Sequence, residues 1–203
     1  MAAKYNLGDY AFQFITITIG VLIALLINGL VEWNRDRELV ADARRMIALE
    51  IADNKKDIDA TLSGVKGDIE KFESAIQFAT DMLTKKKTTI TELNFHLNLA
   101  DLSATSWRTA ERTGALSHME YSEVQKYSKL YDFQDLIVEQ QRNLVGQLGL
   151  VTAILSPDFD PDNPNPRDLE LFRERAMTLR AALAVHAEMA KRLADNYAEA
   201  LKQ

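Results

Sequence analysis

Hydrophobic residues are arranged in two distinct ways along this chain. Residues 10–31 form a largely aliphatic run of 22 residues without a charged side chain. At about 1.5 Å per residue, a helix of this length matches the roughly 30 Å hydrocarbon core of a bilayer. The run therefore predicts a transmembrane helix over residues 10–31, here called the span, preceded by a short tail over residues 1–9.

A cleaved signal peptide is the main alternative for an apolar segment near the N-terminus. Such peptides have a basic start, a shorter apolar stretch and small residues before the cleavage site. Here Asp9 offsets Lys4, and the nearest cleavage pair, Ile27 and Gly29, contains a residue that is too large. A retained anchor is favoured, and a buried core helix is a weaker alternative, because such helices seldom lack charge for so long.

After residue 31, apolar positions recur at helical spacing instead. No breaker lies between residues 31 and 58, so the first helix is expected to continue out of the membrane to about residue 83. Gly64 and Gly67 interrupt the row of apolar residues along this helix, and each costs about 1 kcal/mol against Ala in a helix interior. The favoured interpretation is that the helix simply tolerates both glycines, and the alternative is a bend of the helix or a close helix crossing there. The seam of this helix comprises Ile58, Leu62, Val65, Ile69, Phe72, Ile76, Ala79 and Leu83.

The remaining pattern predicts an all-α domain over residues 32–203, an antiparallel bundle of long helices that continues from the transmembrane helix. Its helices are expected at about 32–83, in short pieces within 93–116, at 122–155 and at 167–201. Ser122 followed by Gln125 suits a capping box at the start of the helix expected at 122–155. All four prolines lie within residues 157–166, which marks a loop between two nearly equal helices. The last helix has the strictest repeat: Leu169, Phe172, Ala176, Leu179, Leu183, His186, Ala190, Leu193 and Tyr197.

The charge of the chain excludes one class of partner. The net charge is −6, and Lys4 and Asp9 are the only charged residues before residue 32, so the whole excess of acid falls on the bundle. Nucleic-acid binding usually needs a basic surface, and it is not expected here. The chain has no cysteine, which excludes disulfides and thiolate metal sites.

Basic residues near the span predict its orientation. Lys4 stands alone before it, whereas Arg35, Arg37, Arg44 and Arg45 follow it. Because Lys and Arg near a span resist translocation, the N-terminus is expected outside and the bundle in the cytoplasm.

Candidate metal and catalytic sites are weak. Asp158, Asp160 and Asp162 resemble the opening of a calcium loop, but Asn163 and Leu169 stand where an EF-hand needs Gly and Glu. No His pair has zinc-site spacing. No hydrolase nucleophile motif or phosphate loop is present. We expect no catalytic residue, no metal and no cofactor, and hence not an enzyme.

Two histidines leave alternatives open. His186 lies in the seam of the last helix, where a hydrogen-bonded core histidine is the favoured interpretation over a ligand or pH-sensing role. His118 could form an acid–base cluster with Glu111 and Glu120, although residues at helix ends often give such an arrangement by chance.

Small and polar residues recur at every fourth position of the span. This ridge consists of Thr16, Gly20, Ala24 and Asn28. Small side chains let a second helix approach closely, and Asn28 could hydrogen-bond across such a contact. Composition alone is an equally weighted explanation, because Gly, Thr and Ala are common in spans. Tyr10 and Trp33 flank the span as predicted interfacial anchors.

Two groups of residues resemble a known pattern. The run from Gly20 to Leu25, then Asn28, then the sequence Glu-Trp-Asn-Arg at 32–35 form the first group. The second consists of Trp107, Ala110, Gly114, Ala115, Leu116 and Met119. Together they resemble uncharacterised bacterial single-span membrane proteins, a domain of unknown function. The resemblance covers roughly residues 10–130 and implies a bacterial inner-membrane anchor without implying an activity.

These observations lead to one functional expectation. The chain is predicted to be a membrane-anchored, non-catalytic accessory or scaffold subunit that packs its transmembrane helix and its bundle against other membrane protein subunits. The alternative is a single-span sensor whose bundle binds a small ligand. A membrane-bound hydrolase using His118 and Glu120 is a third hypothesis.

Overall fold

The computed structural model describes residues 7–88, 90, 93–155 and 164–202. These residues form four α-helices: α1 (Leu7–Leu83), α2 (Thr105–Arg112), α3 (Tyr121–Thr152) and α4 (Pro166–Ala200). Short 3-10 turns at Ala115–His118 and Ala153–Leu155 flank α3. No strand occurs in the described residues, and the predicted all-α class is confirmed.

Helix α1 runs without interruption from the span into the bundle. Its 77 residues would extend about 115 Å at the usual rise per residue. Its first strongly buried residue is Val40, and from there onward one face of the helix packs against α4 and the shorter elements. The expected continuation of the first helix from its apolar N-terminal part into the bundle is therefore confirmed.

Helices α1, α3 and α4 form the long core of the bundle. Arg44 contacts Glu123 and Asn54 contacts Gln134, so residue numbers rise together along α1 and α3, and the two helices run parallel. Helix α4 returns in the opposite direction, which places Arg180 beside Glu73. The predicted antiparallel hairpin of α3 and α4 against α1 is the arrangement found.

Two apolar clusters fill this core. The cluster nearer the span includes Ile47, Ile51 and Ile58 of α1, and the second surrounds Phe72 and Phe172. Burying a large apolar side chain stabilises a fold by about 1.5–3 kcal/mol. Every seam position predicted for the last helix is buried, from Leu169 to Tyr197, so that periodicity is a correct guide to the core.

The helical pieces expected within 93–102 are wrong. Residues 93–104 form an extended segment, here called the strap, which runs between α1 and α3. Its apolar residues alternate rather than recurring every third or fourth position, and Leu93, Phe95, Leu97 and Leu99 pack on the second cluster. The ring of Phe95 lies 5.5 Å from that of Phe72. This period of two is the signature of extended chain, and it was already present in the sequence.

The starts of the two long helices differ from each other. Helix α3 begins at Tyr121 with Glu120 as its N-cap, and that cap makes no side-chain hydrogen bond. Ser122 lies inside the helix, so the predicted capping box is wrong. At α4, Asn165 is the N-cap, accepts a hydrogen bond from the backbone N–H of Arg167 at 3.0 Å, and precedes Pro166 at the first helical position.

Gly64 has a packing role that simple tolerance does not explain. A Cβ atom at this position would lie 2.5 Å from Cγ of Asn98, a strap residue. At Gly67, one turn later, a Cβ atom would meet nothing within 4 Å. The close approach is therefore that of the strap to α1 at Gly64.

We expect the two glycines to respond oppositely to substitution by alanine. Gly64→Ala overpacks the contact with Asn98 and lowers the free energy of unfolding by about 1–3 kcal/mol. Gly67→Ala raises it by about 0.5–1 kcal/mol, because Ala is the better helix former. Thermal unfolding of the full chain in mild detergent, followed by circular dichroism, compares them. Equal stabilisation by both substitutions would contradict the close approach of the strap.

Candidate functional site

The span lies outside the bundle along its whole described length. Residues 10–35 of α1 are exposed, and the large apolar side chains among them keep between 51% and 72% of their surface accessible. The most apolar window of this helix has a mean hydropathy of 2.5, and none of it is buried. By length and composition, α1 is the one candidate membrane span in the described residues. A core helix of a soluble domain would instead be covered by its neighbours.

The ridge is uncovered. A Cβ atom at Gly20 would meet nothing within 4 Å, and the Asn28 side chain has no hydrogen-bond partner in the described residues. The hydroxyl of Thr16 donates to the carbonyl of Phe12 on its own helix at 2.9 Å. Thr16 is thus satisfied within α1, whereas Asn28 keeps its hydrogen-bonding groups available to a neighbour.

The direction of the ridge follows from the continuity of α1. An α-helix returns to the same direction after 18 residues, because these make five turns. Ala24 therefore points the same way as Asp42, which is exposed, whereas Leu22 points the same way as Val40, which is buried in the bundle. The ridge lies on the side of α1 that faces away from α3 and α4.

The residues predicted as interfacial anchors are both exposed. The Trp33 side chain keeps 57% of its surface, and the guanidinium carbon of Arg37 lies 4.6 Å from the centre of its ring. Tyr10 keeps 54% at the other end of the span. An amphipathic ring beside a cation suits a membrane–water boundary.

A buried carboxylate inside the bundle acts as the N-terminal cap of α2. Helix α2 follows Ala104, which has no capping side chain. Glu50 of α1 supplies the cap instead, accepting the backbone N–H groups of Ser106 at 2.8 Å and Trp107 at 3.4 Å. The hydroxyls of Ser103 and Tyr131 also donate to this carboxylate, at 3.0 and 2.8 Å. With four donors, Glu50 can remain inside the bundle at 8% exposure.

Next to this carboxylate, an amide pair holds the end of the strap. Asn54 donates to the carbonyl of Ser103 at 2.7 Å and accepts its N–H at 2.8 Å. Gln134 donates to the same carbonyl at 2.9 Å and accepts from Asn54 at 3.1 Å. The hydroxyl of Tyr197 donates to Gln134 at 2.6 Å, which brings α4 into the network. The pKa values of Tyr131 and Tyr197 are raised above their usual range, mainly because burial disfavours the charged phenolate. Both hydroxyl groups therefore stay protonated and can donate.

Two further side chains satisfy the middle of the strap. Asp68, which is completely buried, accepts the backbone N–H of Asn98 at 2.7 Å and its side-chain amide at 2.8 Å. When the amide of Gln141 is assigned so that both of its polar atoms find partners, it donates to the carbonyl of Ala100 at 3.1 Å and accepts its N–H at 2.9 Å. Side chains of α1 and α3 thus take the place of a neighbouring strand.

The sequence contained a sign of this network that periodicity arguments overlooked. Glu50 and Asp68 are 18 residues apart, so they point the same way along α1, and Asn54 lies one turn after Glu50. Polar residues on the apolar face of a helix are costly unless they are hydrogen-bonded. Their position therefore indicated buried backbone groups that needed partners.

The residues between Trp107 and Met119 that resemble the bacterial single-span proteins help to build α2 and the turn after it. The ring of Trp107 stacks on that of Tyr131 at 5.4 Å with an angle of 11° between the planes. Gly114 has a φ of +81°, a left-handed conformation that suits glycine, and it starts the 3-10 turn. Ala110, Ala115 and Met119 are buried beside α1.

The histidines do not lie together. Nδ1 of His118 is 3.6 Å from a carboxylate oxygen of Asp36 on α1, and no contact with Glu111 or Glu120 is found, so the acid–base cluster is wrong. His96 is exposed on the strap. The residues of the calcium-like sequence, 158–162, lie outside the described residues.

His186 is buried without the hydrogen bond expected for it. Its side chain is completely inaccessible, and neither ring nitrogen has a partner in the described residues. Burial lowers the pKa of this histidine. The prediction of a hydrogen-bonded core histidine is therefore wrong, and the neutral imidazole is a polar group that the bundle tolerates at a cost.

Comparison of the chain with known protein families, with curated proteins and with solved structures gave no match. The resemblance to bacterial single-span proteins therefore stays a prediction.

We expect Glu50→Gln to lower the free energy of unfolding by about 1.5–3 kcal/mol, because its amide NH₂ would face N–H donors that now bond to a carboxylate. Denaturant unfolding of the full chain in detergent measures the loss, and hydrogen exchange at residues 105–112 localises it. Asp53→Asn, on the exposed side of α1, is the control and stays within about 0.5 kcal/mol. A Glu50→Gln protein as stable as that control would refute the capping role.

We expect His186 to make the bundle sensitive to acid. Its folded pKa lies below the unfolded value of about 6.5, so the unfolded chain binds a proton that the folded one excludes. Stability is complete above pH 6.5 and is lost as the pH falls toward the folded pKa, by up to about 1.4 kcal/mol per pH unit.

His186→Leu is expected to remove this part of the pH dependence and to raise stability at pH 7, because two unpaired nitrogens leave the core. Unfolding midpoints between pH 5 and 8 provide the measurement. His96→Gln, at an exposed position, is the matched control and keeps the slope. An unchanged slope in His186→Leu would assign the acid sensitivity to other groups.

Proposed function

We propose that this chain is a membrane-anchored, non-catalytic accessory or scaffold subunit that packs its span against other membrane proteins. Its N-terminus lies outside a bacterial inner membrane and its bundle lies in the cytoplasm. The observation that carries the proposal is the position of the ridge, on the side of α1 opposite the bundle. A second helix could pack along that side without meeting α3 or α4.

The exposure of the span supports its place in lipid. Its large apolar side chains remain accessible along the whole run, and each would gain about 1.5–3 kcal/mol on full transfer out of water. Neither α3 nor α4 covers residues 10–35. A bilayer removes this surface from water without any change in the bundle.

The polarity of the ridge supports a protein partner rather than lipid alone. Gly20 and Ala24 leave the backbone of α1 open to close approach, which is typical of contacts between transmembrane helices. In hydrocarbon, the Asn28 amide gains from a partner, and such hydrogen bonds contribute about 0.6–2 kcal/mol. A neighbouring helix with a polar group at the same depth would satisfy both features.

The arrangement of the bundle supports a non-catalytic role. The carboxylates of Glu50 and Asp68 are each occupied by donors from the strap and α2, and the amides of Asn54 and Gln134 are bonded to one another. These polar groups hold the backbone in place. A subunit of this kind offers other proteins a rigid surface at the membrane.

The orientation rests on the basic residues that follow the span. Arg35, Arg37, Arg44 and Arg45 are on its bundle side, against Lys4 on the other. Positive residues beside a span favour the cytoplasmic side, so the bundle is proposed to lie there.

Photo-cross-linking in native membranes tests the role of the ridge. A benzophenone amino acid replaces Ala24 on the ridge or Leu22 on the bundle side, both at nearly the same depth. We expect irradiation to attach another membrane protein at position 24 and lipid alone at position 22. The attached chain is then identified by mass spectrometry.

Equal attachment at both positions, or attachment at neither, would contradict a specific contact through the ridge. Recovery of the protein solely as a single chain after gentle solubilisation would contradict the subunit role. Ala24→Leu, which fills the ridge, is expected to reduce attachment from a benzophenone at position 20.

A further inference from the structure

One corner of the bundle begins about 7.5 Å beyond the end of the span. This basal corner, residues 114–121, comprises the 3-10 turn Ala115–His118 and the first residue of α3. The contact between His118 and Asp36, at 3.6 Å, fixes its position along α1. Asp36 is five residues after Val31, so the turn lies about 7.5 Å beyond the end of the span.

The start of α3 is placed by a second contact. Both guanidinium nitrogens of Arg44 that face α3 bind Glu123, at 2.8 and 2.6 Å. Because α1 and α3 run parallel, Tyr121 is level with residue 42, about 16 Å beyond Val31. Side chains on a helix lean toward its N-terminus, which for α3 is the direction of the span. The ring of Tyr121 therefore points toward the polar headgroup layer, whose outer edge lies roughly 5–7 Å beyond the hydrocarbon core. A tilt of α1 by about 20°, the average for transmembrane helices, lowers this side of the bundle toward that layer.

The side chains of the corner suit that environment. Tyr121 keeps 79% of its surface exposed, more than any other large apolar or aromatic side chain described. Ser117 and His118 are exposed beside it. Tyrosine is enriched where protein meets the membrane–water boundary, because its ring prefers apolar surroundings and its hydroxyl prefers water.

We propose that the basal corner contacts the lipid headgroups, with Tyr121 as its main point of contact. The inference deepens the proposed function, since it requires the span to lie in the bilayer. The partner is the lipid surface itself, and the contact rests on the aromatic ring rather than on charge attraction, because the bundle is acidic.

Such a contact gives the bundle a second attachment to the membrane. The span alone leaves the bundle able to rotate about the axis of α1 and to tilt. The basal corner lies on the bundle side of α1, so a contact there restrains both movements. The ridge, on the opposite side, is then held facing the neighbouring helix of a partner.

Fluorescence quenching by lipid tests the contact. The chain has no cysteine, so Tyr121→Cys carries a single environment-sensitive label on the full-length protein. The protein is reconstituted in vesicles of phosphatidylcholine and phosphatidylglycerol that contain headgroup spin-labelled lipid. We expect a loss of emission at position 121 relative to vesicles without spin label, and a blue shift relative to the free label in water.

Two further labels complete the design. Leu150→Cys is the matched control, an exposed apolar position on the same helix about 43 Å farther from the span, and it is expected to show neither change. Leu22→Cys reports the span through lipid that is spin-labelled on its acyl chains, and it is expected to lose emission.

Quenching at positions 121 and 22 but not at 150 supports the contact. Quenching at 22 alone overturns it and leaves the anchor of the proposed function standing. No quenching at 22 refutes the anchor and the contact together. Quenching at 150 as strong as at 121 overturns the proposal in favour of a bundle lying along the membrane.

Discussion

The unbroken hydrogen bonding of α1 from Leu7 to Leu83 determines how the rest of the molecule is placed. A continuous α-helix fixes both the rise and the rotation from one residue to the next. The burial of Val40 in the bundle therefore also fixes the direction of Leu22 in the span, five turns earlier. One continuous element connects the exposed apolar surface of the span with the core, so neither can rotate without the other.

The hydrogen bonds between the strap and the side chains of α1 and α3 satisfy a second requirement of the fold. The strap runs through the bundle in extended form, and buried N–H and C=O groups need partners that a helix would have supplied internally. Asn54 and Asp68 on α1, with Gln134 and Gln141 on α3, provide them. Removing any one leaves buried groups unpaired, so these side chains hold a unique path for the strap between the helices.

The two sides of α1 serve different purposes in the proposed assembly. One side carries the bundle, whose interior is held by apolar clusters and by hydrogen-bonded polar groups. The other carries the ridge and remains open from the span into the exposed part of the helix. This division makes α1 a spacer of fixed orientation, with the domain on one side and the surface for a neighbouring transmembrane helix on the other.

The sequence by itself determined the all-α class, the long apolar N-terminal helix and the buried face of the last helix, where every predicted seam residue from Leu169 to Tyr197 is in the core. These features depend on local geometry, because apolar residues that repeat every 3.6 positions form one stripe along a helix, and that stripe faces the core. Only the tertiary structure decided the path of residues 93–104, the capping of α2 by Glu50 and the isolation of His186. Each depends on which groups meet, or fail to meet, across 30 or more residues of chain. The alternation in the strap and the polar residues on the apolar face of α1 indicate that buried groups need partners, but spacing along the sequence does not say which groups pair.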